Sequence, residues 1–208
     1  MDIKTLNEEL AKILEDIRNI DYDSSIANKR YSVKDNKGNI IEKGYWQVKS
    51  GTTLCGYSFV DSANKPLLLS KQAAEFIKEV HDEYGGTGMV SSIMDSHNGS
   101  PTKINGHPSG NCIDFGLGRA GYNVEAVYKI AAPISKHQAV KDFWFESKPN
   151  DKKAEVCSAQ VKAKMRENGI DVTKVGYREI PWSSGYHIHV YINPDLLKHL
   201  PNKISSYQ

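Results

Sequence analysis

Apolar residues recur at helical spacing in several stretches of the chain. Leu6, Leu10, Ile13, Leu14 and Ile17 share one helical face, and Thr5 with Glu8 makes a capping box ahead of them. After Ser70, residues Ala73, Ala74, Phe76, Ile77 and Val80 repeat the signal, and Gly85-Gly86 closes that helix. A third clear helix is expected over 151–168, stopped by Gly169, and a shorter one over 123–130, limited by Pro133. Elsewhere the period is two. Tyr31 and Val33, the turn Asn36-Lys37-Gly38-Asn39, then Ile40 and Ile41 read as a hairpin. Trp46 with Val48, and Tyr57 with Phe59 and Val60, suggest two more short strands. Residues 89–94 form a short buried strand. The Ser/Asn/Gly/Pro-rich stretch 95–111 is a long loop, and a strand resumes over 112–115. Two last strands, over 172–180 and 186–192, flank a loop holding Pro181, Trp182, Ser183, Ser184 and Gly185.

Helices and strands mix without a regular βαβ alternation. That predicts an α+β fold with a central, mainly antiparallel sheet flanked by helices. The predicted organisation is an N-terminal extension over residues 1–65, holding a helix and the hairpin, and a main domain over 66–208.

Composition narrows the function classes. The 208 residues carry 27 Lys+Arg and 25 Asp+Glu, a net charge of +2, so a polybasic nucleic-acid binder is excluded. No apolar run is long enough for a membrane span. The opening MDIKTLNEELAKILEDI reads as an amphipathic helix and not as a secretory leader. Cys55, Cys112 and Cys157 are too few and scattered for a disulfide framework, and they form no CxxC pair. They read as free thiols of a protein made in a reducing cytosol, with one disulfide formed after export as the alternative.

Two settings of histidine carry candidate chemistry. In Tyr186-His187-Ile188-His189-Val190-Tyr191-Ile192, strand alternation puts Ile188, Val190 and Ile192 on a core face. His187, His189 and Tyr191 then share the other face, where two imidazoles can converge on one metal ion. In His107-Pro108-Ser109-Gly110-Asn111-Cys112-Ile113-Asp114, the Pro/Gly loop can fold back and bring His107 and Asp114 to one point. Imidazole nitrogen and carboxylate oxygen are both good zinc ligands. His107, Asp114 and His189 together supply three ligands, the pattern of a catalytic zinc with one position left for water. His187 stands beside them, placed to take the proton of that water.

The pattern His107-x-x-Gly110-x-Cys112-x-Asp114, followed by His187-x-His189-Val190, resembles the zinc peptidases grouped with lysostaphin, the D-alanyl-D-alanine carboxypeptidases and the hedgehog signalling domain. The closing His-x-His-Val is most similar to murein endopeptidases. The resemblance covers about residues 66–195. It implies that Zn²⁺ is bound by His107, Asp114 and His189, that His187 occupies the catalytic base position, and that the substrate is an amide of peptidoglycan. Cys112 replaces the family's usual Ala, and Asn105 stands where a Ser is common. The carboxypeptidases carry an Arg after the upstream strand, whereas this chain reads Met94-Asp95-Ser96-His97. A terminal carboxylate then has no partner, which favours an endopeptidase.

Candidate substrate residues are Asp95, His97, Trp182 and Tyr191. Arg119 and Arg178 are candidates for pairing with carboxylates, while His81, His137 and His199 have no evident partner in the sequence. A wall enzyme without a leader implies release at lysis, as in a phage lysin, or delivery by a secretion apparatus as an antibacterial effector with an immunity protein as partner. The alternatives are a D,D-carboxypeptidase, a zinc amidase on another substrate, or a non-catalytic zinc-stabilised binding module.

Overall fold

The computed structural model describes residues 31–34, 40–43, 46–61, 64, 67–94 and 107–198. The helix expected around 5–17, and the candidates Asp95, His97 and His199, lie outside the described residues. Strands β1 (Tyr31–Lys34), β2 (Ile40–Lys43), β3 (Trp46–Val48), β4 (Thr53–Leu54), β5 (Tyr57–Phe59) and β6 (Leu67–Leu69) come first. Helix α1 (Lys71–Tyr84) follows, then β7 (Gly88–Ser92), β8 (Cys112–Gly116), α2 (Val124–Lys136), β9 (Val140–Ser147), α3 (Lys152–Glu167), β10 (Val175–Glu179) and β11 (His187–Ile192).

The main sheet has the order β10-β9-β11-β8-β7-β5-β4. The β10–β9 and β7–β5 pairs are parallel and the other four are antiparallel, so the sheet is mixed but mostly antiparallel. Its β4–β5 edge carries the sheet back to residue 53. The expected hairpin is present as the antiparallel pair β1–β2, and β3 pairs with β6.

Alternation decides which sheet face is core. Ile113 and Phe115 of β8, Phe143 and Phe145 of β9, and Ile188, Val190 and Ile192 of β11 are all buried. Against them pack Phe76, Ile77 and Val80 of α1, Val127, Ala131 and Ile134 of α2, and Val161 and Met165 of α3, in one apolar cluster. The opposite face is left to Cys112, Asp114, Trp144, Glu146, Arg178, His187, His189 and Tyr191, as the register requires.

Each helix starts on a side-chain cap. Ser70, Asn123 and Asp151 accept from the backbone N–H three residues on. Gly85, with φ +67°, ends α1 in a left-handed turn that favours glycine. Helix α2 corrects one expectation, because Pro133 does not limit it and the helix runs on to Lys136. Proline removes one backbone N–H there, but Ala131, Ala132 and Ile134 are buried in the core, and that packing holds the final turn.

Candidate metal centre

Strand register assembles half of the site. His189 lies opposite Asp114 of β8 on one side and Trp144 of β9 on the other. His187, two residues earlier on the same face, lies between Gly116 and Glu146. His107 arrives differently, on a single 3-10 turn over His107–Ser109 that leads into β8. Gly110 ends the turn at φ +75°, and a Cβ there would stand 2.5 Å from the Ser70 Cβ, so only glycine fits. The Ser70 hydroxyl donates to the Gly110 carbonyl at 2.6 Å. The Gln72 amide donates to Ser109 O at 3.1 Å and to Asn111 Oδ1 at 3.0 Å. The first turn of α1 thus clamps the loop that carries His107.

Asp114 Oδ1 is the centre of the cluster. His189 Nδ1 lies 2.8 Å from it, His107 Nε2 3.3 Å and His187 Nε2 3.9 Å. The rings of His107 and His189 are 5.1 Å apart and steeply inclined. Ligand atoms of His107, Asp114 and His189 all fall within 4.8 Å of one another, a group able to hold a metal ion.

The tautomer of His107 gives a test of that fit. Its Nδ1 faces the Ile93 carbonyl at 2.5 Å, and a carbonyl only accepts, so Nδ1 carries the proton. In the neutral ring Nε2 then presents a lone pair toward a carboxylate oxygen. Two facing lone pairs repel unless a cation, either a proton or a metal ion, lies between them. A histidine whose outer N–H is held by a carbonyl while its inner nitrogen faces a carboxylate is also the usual setting of a metal-ligating imidazole. Two imidazoles and one carboxylate fit zinc with a fourth position open.

His187 is set up by two hydrogen bonds. Its Nδ1–H donates to the Gly185 carbonyl at 2.8 Å, and its Nε2 faces Glu146 Oε2 at 3.2 Å. Burial by itself would favour the neutral ring. The hydrogen bond to Glu146, the charge of Asp114 and the Gly185 carbonyl outweigh it, and the imidazole is pushed up to about 9. A divalent charge held by the three neighbours would act in the opposite direction. Burial would likewise raise the Glu146 carboxyl, but the His187 hydrogen bond, the charge of His189 and the Arg178 guanidinium hold it below its ordinary value. Burial pushes the Cys112 thiol well up, and Asp114 adds to that; the thiol is not among the group of ligand atoms that converge.

His107, Asp114, His187 and His189 are therefore brought together as the motif suggested. Tyr191 is half-buried on the same face, opposite Cys112 and Asp142, with the Lys141 ammonium 5.2 Å from its ring centre. Trp182 stands 70% exposed in the loop between β10 and β11. Glu146 is the site residue that sequence reasoning missed. Its signal was available, because Phe143 and Phe145 alternate with Trp144 and Glu146, a half-buried strand pattern in a stretch assigned no element.

Two histidines read as lacking a partner do have one. His137 Nε2 pairs with Glu79 Oε2 at 2.9 Å, both buried, and His81 Nδ1–H donates to the Gly86 carbonyl at 2.9 Å. The His137–Glu79 contact joins residues 58 apart in sequence, which local reading does not reach. With Glu83 they make a second group of metal-capable residues, but Glu79 also accepts from the Lys198 backbone N–H, and Glu83 pairs with the Lys198 ammonium. Cys55, Cys112 and Cys157 are free thiols, and no helix among the described residues is long and apolar enough to cross a membrane. No family model matches the chain, and neither the curated proteins nor the solved structures compared with it give a match.

Proposed function

We propose that the chain is a zinc-dependent peptidase that hydrolyses an amide in peptidoglycan stem peptides or cross-links, as an antibacterial effector or a phage-type lysin. The observation that carries the reading is the convergence of His107 Nε2, Asp114 Oδ1 and His189 Nδ1 around one point, with a fourth titratable group, His187, beside them. His107, Asp114 and His189 would hold the ion. When bound, zinc supplies a Lewis acid that acidifies water and polarises an amide carbonyl. His187 holds its mobile proton at Nε2, since Nδ1–H is committed to Gly185 O. With a divalent charge beside it lowering its hold on that proton, the ring would accept a proton at Nε2 and return it to the leaving amine. The cell-wall substrate is supported by the sequence resemblance alone. The endopeptidase reading is supported by the lack of an arginine in the stretch Met94-Asp95-Ser96-His97.

The test is metal analysis of the purified protein beside a His189→Ala variant, followed by incubation of both with purified peptidoglycan and mass analysis of the products. The expected result is one zinc per chain in the wild type, little in the variant, and a mass gain of one water at a peptide bond. No metal in the wild type after zinc is supplied would overturn the reading. Zinc without wall cleavage would keep the metal centre and redirect the search to other amides or to a binding role.

A further inference from the structure

Glu146 is 5% exposed and lies on the site face, yet it is not among the metal-capable group. A carboxylate in that position is expensive, and an apolar residue of similar size would ordinarily stabilise the fold as well or better. Its two oxygens have separate partners. Oε2 faces His187 Nε2 at 3.2 Å. Oε1 accepts from both Nε and Nη2 of Arg178, with Nε at 2.6 Å. The three residues lie in one register row across β10, β9 and β11, with Arg178 opposite Glu146 and Glu146 opposite His187. Arg178 is held in turn, because its guanidinium carbon lies 5.0 Å from the centre of the Trp144 ring. Trp144 can lie there because its cross-strand neighbour is Gly176, where a Cβ would overlap the indole.

We propose that Glu146 is the positioning residue of His187. It fixes the imidazole from the Nε2 side while Gly185 O fixes it from the Nδ1 side, and Arg178, Trp144 and Gly176 hold Glu146 in register. The ring is restrained at both nitrogens, with Nε2 aimed between Glu146 and Asp114. The catalytic consequence rests on the hydrolase reading of the preceding subsection, whereas the restraint on the ring does not.

The experiment uses zinc-loaded full-length protein with Glu146→Gln, Glu146→Ala and Arg178→Lys. Zinc content, kcat and KM on peptidoglycan fragments, and the ¹⁵N NMR signals of the His187 ring are measured for each. Glu146→Gln keeps the shape and an acceptor for Arg178, but puts an amide N–H where a carboxylate oxygen faced His187 Nε2, so the ring loses its restraint on that side. It is expected to keep one zinc per chain and a KM within about twofold, and to lose roughly 100-fold or more in kcat. Arg178→Lys keeps the charge without the forked contact and is expected to lose about tenfold in kcat. In Glu146→Ala the His187 ring signals are expected to broaden or average, against one ordered ring in the wild type. An unchanged kcat in Glu146→Gln, or His187 signals in Glu146→Ala identical to wild type, would overturn the proposal. Should the wild type bind zinc and cleave no peptide, the hydrolase reading falls by itself, and the ring signals alone decide the positioning role. If Glu146→Ala does not fold, Arg178→Lys supplies the ring comparison.

Discussion

Ser70→Ala tests whether the metal-ligand loop is held by the helix that precedes it. The Ser70 oxygen accepts from Ala73 N–H at 3.2 Å and donates to the Gly110 carbonyl at 2.6 Å, in a position 2% exposed. Losing the cap costs about 1 kcal/mol. The Gly110 carbonyl then loses this donor in a buried position, which costs about 1–3 kcal/mol more. A hydroxyl-sized gap gives no room for a replacement water. The sum is about 2–4 kcal/mol, or roughly 5–15 °C in Tm for a chain of this length. Because Gly110 closes the turn that carries His107, zinc affinity should fall as well, by about 10–100-fold. Asn123→Ala is the control. Its side chain caps α2 at 2.9 Å in an exposed setting and touches none of the ligands. It should lose about 1 kcal/mol and leave zinc affinity unchanged. Urea unfolding of the metal-free proteins and zinc competition against a chelating dye read both quantities. A Ser70→Ala loss below about 0.5 kcal/mol, or a loss matching the control with zinc affinity intact, would refute the clamp.

His107→Ala removes one of the three convergent ligands and should lower zinc affinity by about 100-fold or more while the strand-borne pair Asp114 and His189 stays in register. Dye competition at constant pH checks this, and an unchanged affinity would remove His107 from the ligand set. His137→Ala should leave Glu79 with the Lys198 N–H but without its imidazole donor, and destabilise by about 2–3 kcal/mol while one zinc per chain is retained. Loss of a bound zinc in that variant would instead make Glu79, Glu83 and His137 a metal site.

The site was legible in the sequence to the extent that it depends on local spacing. His187, His189, Cys112 and Asp114 fall on one face because strands alternate with period two, and the register confirms each placement. The His107 loop was legible because Pro108 and Gly110 limit where that chain can go. What was not legible is what pairing brings from a distance. Glu146 reaches His187 only because β9 lies between β10 and β11, an order that no local pattern dictates. The same applies to His137, whose partner is on another helix. Pro133 misled because its local cost was weighed without the core residues on either side of it.

The position of β9 also ties the chemistry to the core. Phe143 and Phe145 are buried on the helix side, so their alternates Trp144 and Glu146 are committed to the site side. A slip of one residue would expose both phenylalanines and bury the carboxylate among them. The apolar cluster therefore enforces the register that sets Glu146 between Arg178 and His187. In the next strand, Ile188 and Val190 do the same for His187 and His189, and in β8 Ile113 and Phe115 do it for Asp114. Three adjacent strands, each locked by two or more buried apolar side chains, fix the site row by row. The one ligand outside this scheme, His107, hangs on a turn that the strands do not control. That is why its loop needs the separate clamp from Ser70 and Gln72, and why metal affinity should be more sensitive to those two residues than to any exposed residue of the sheet.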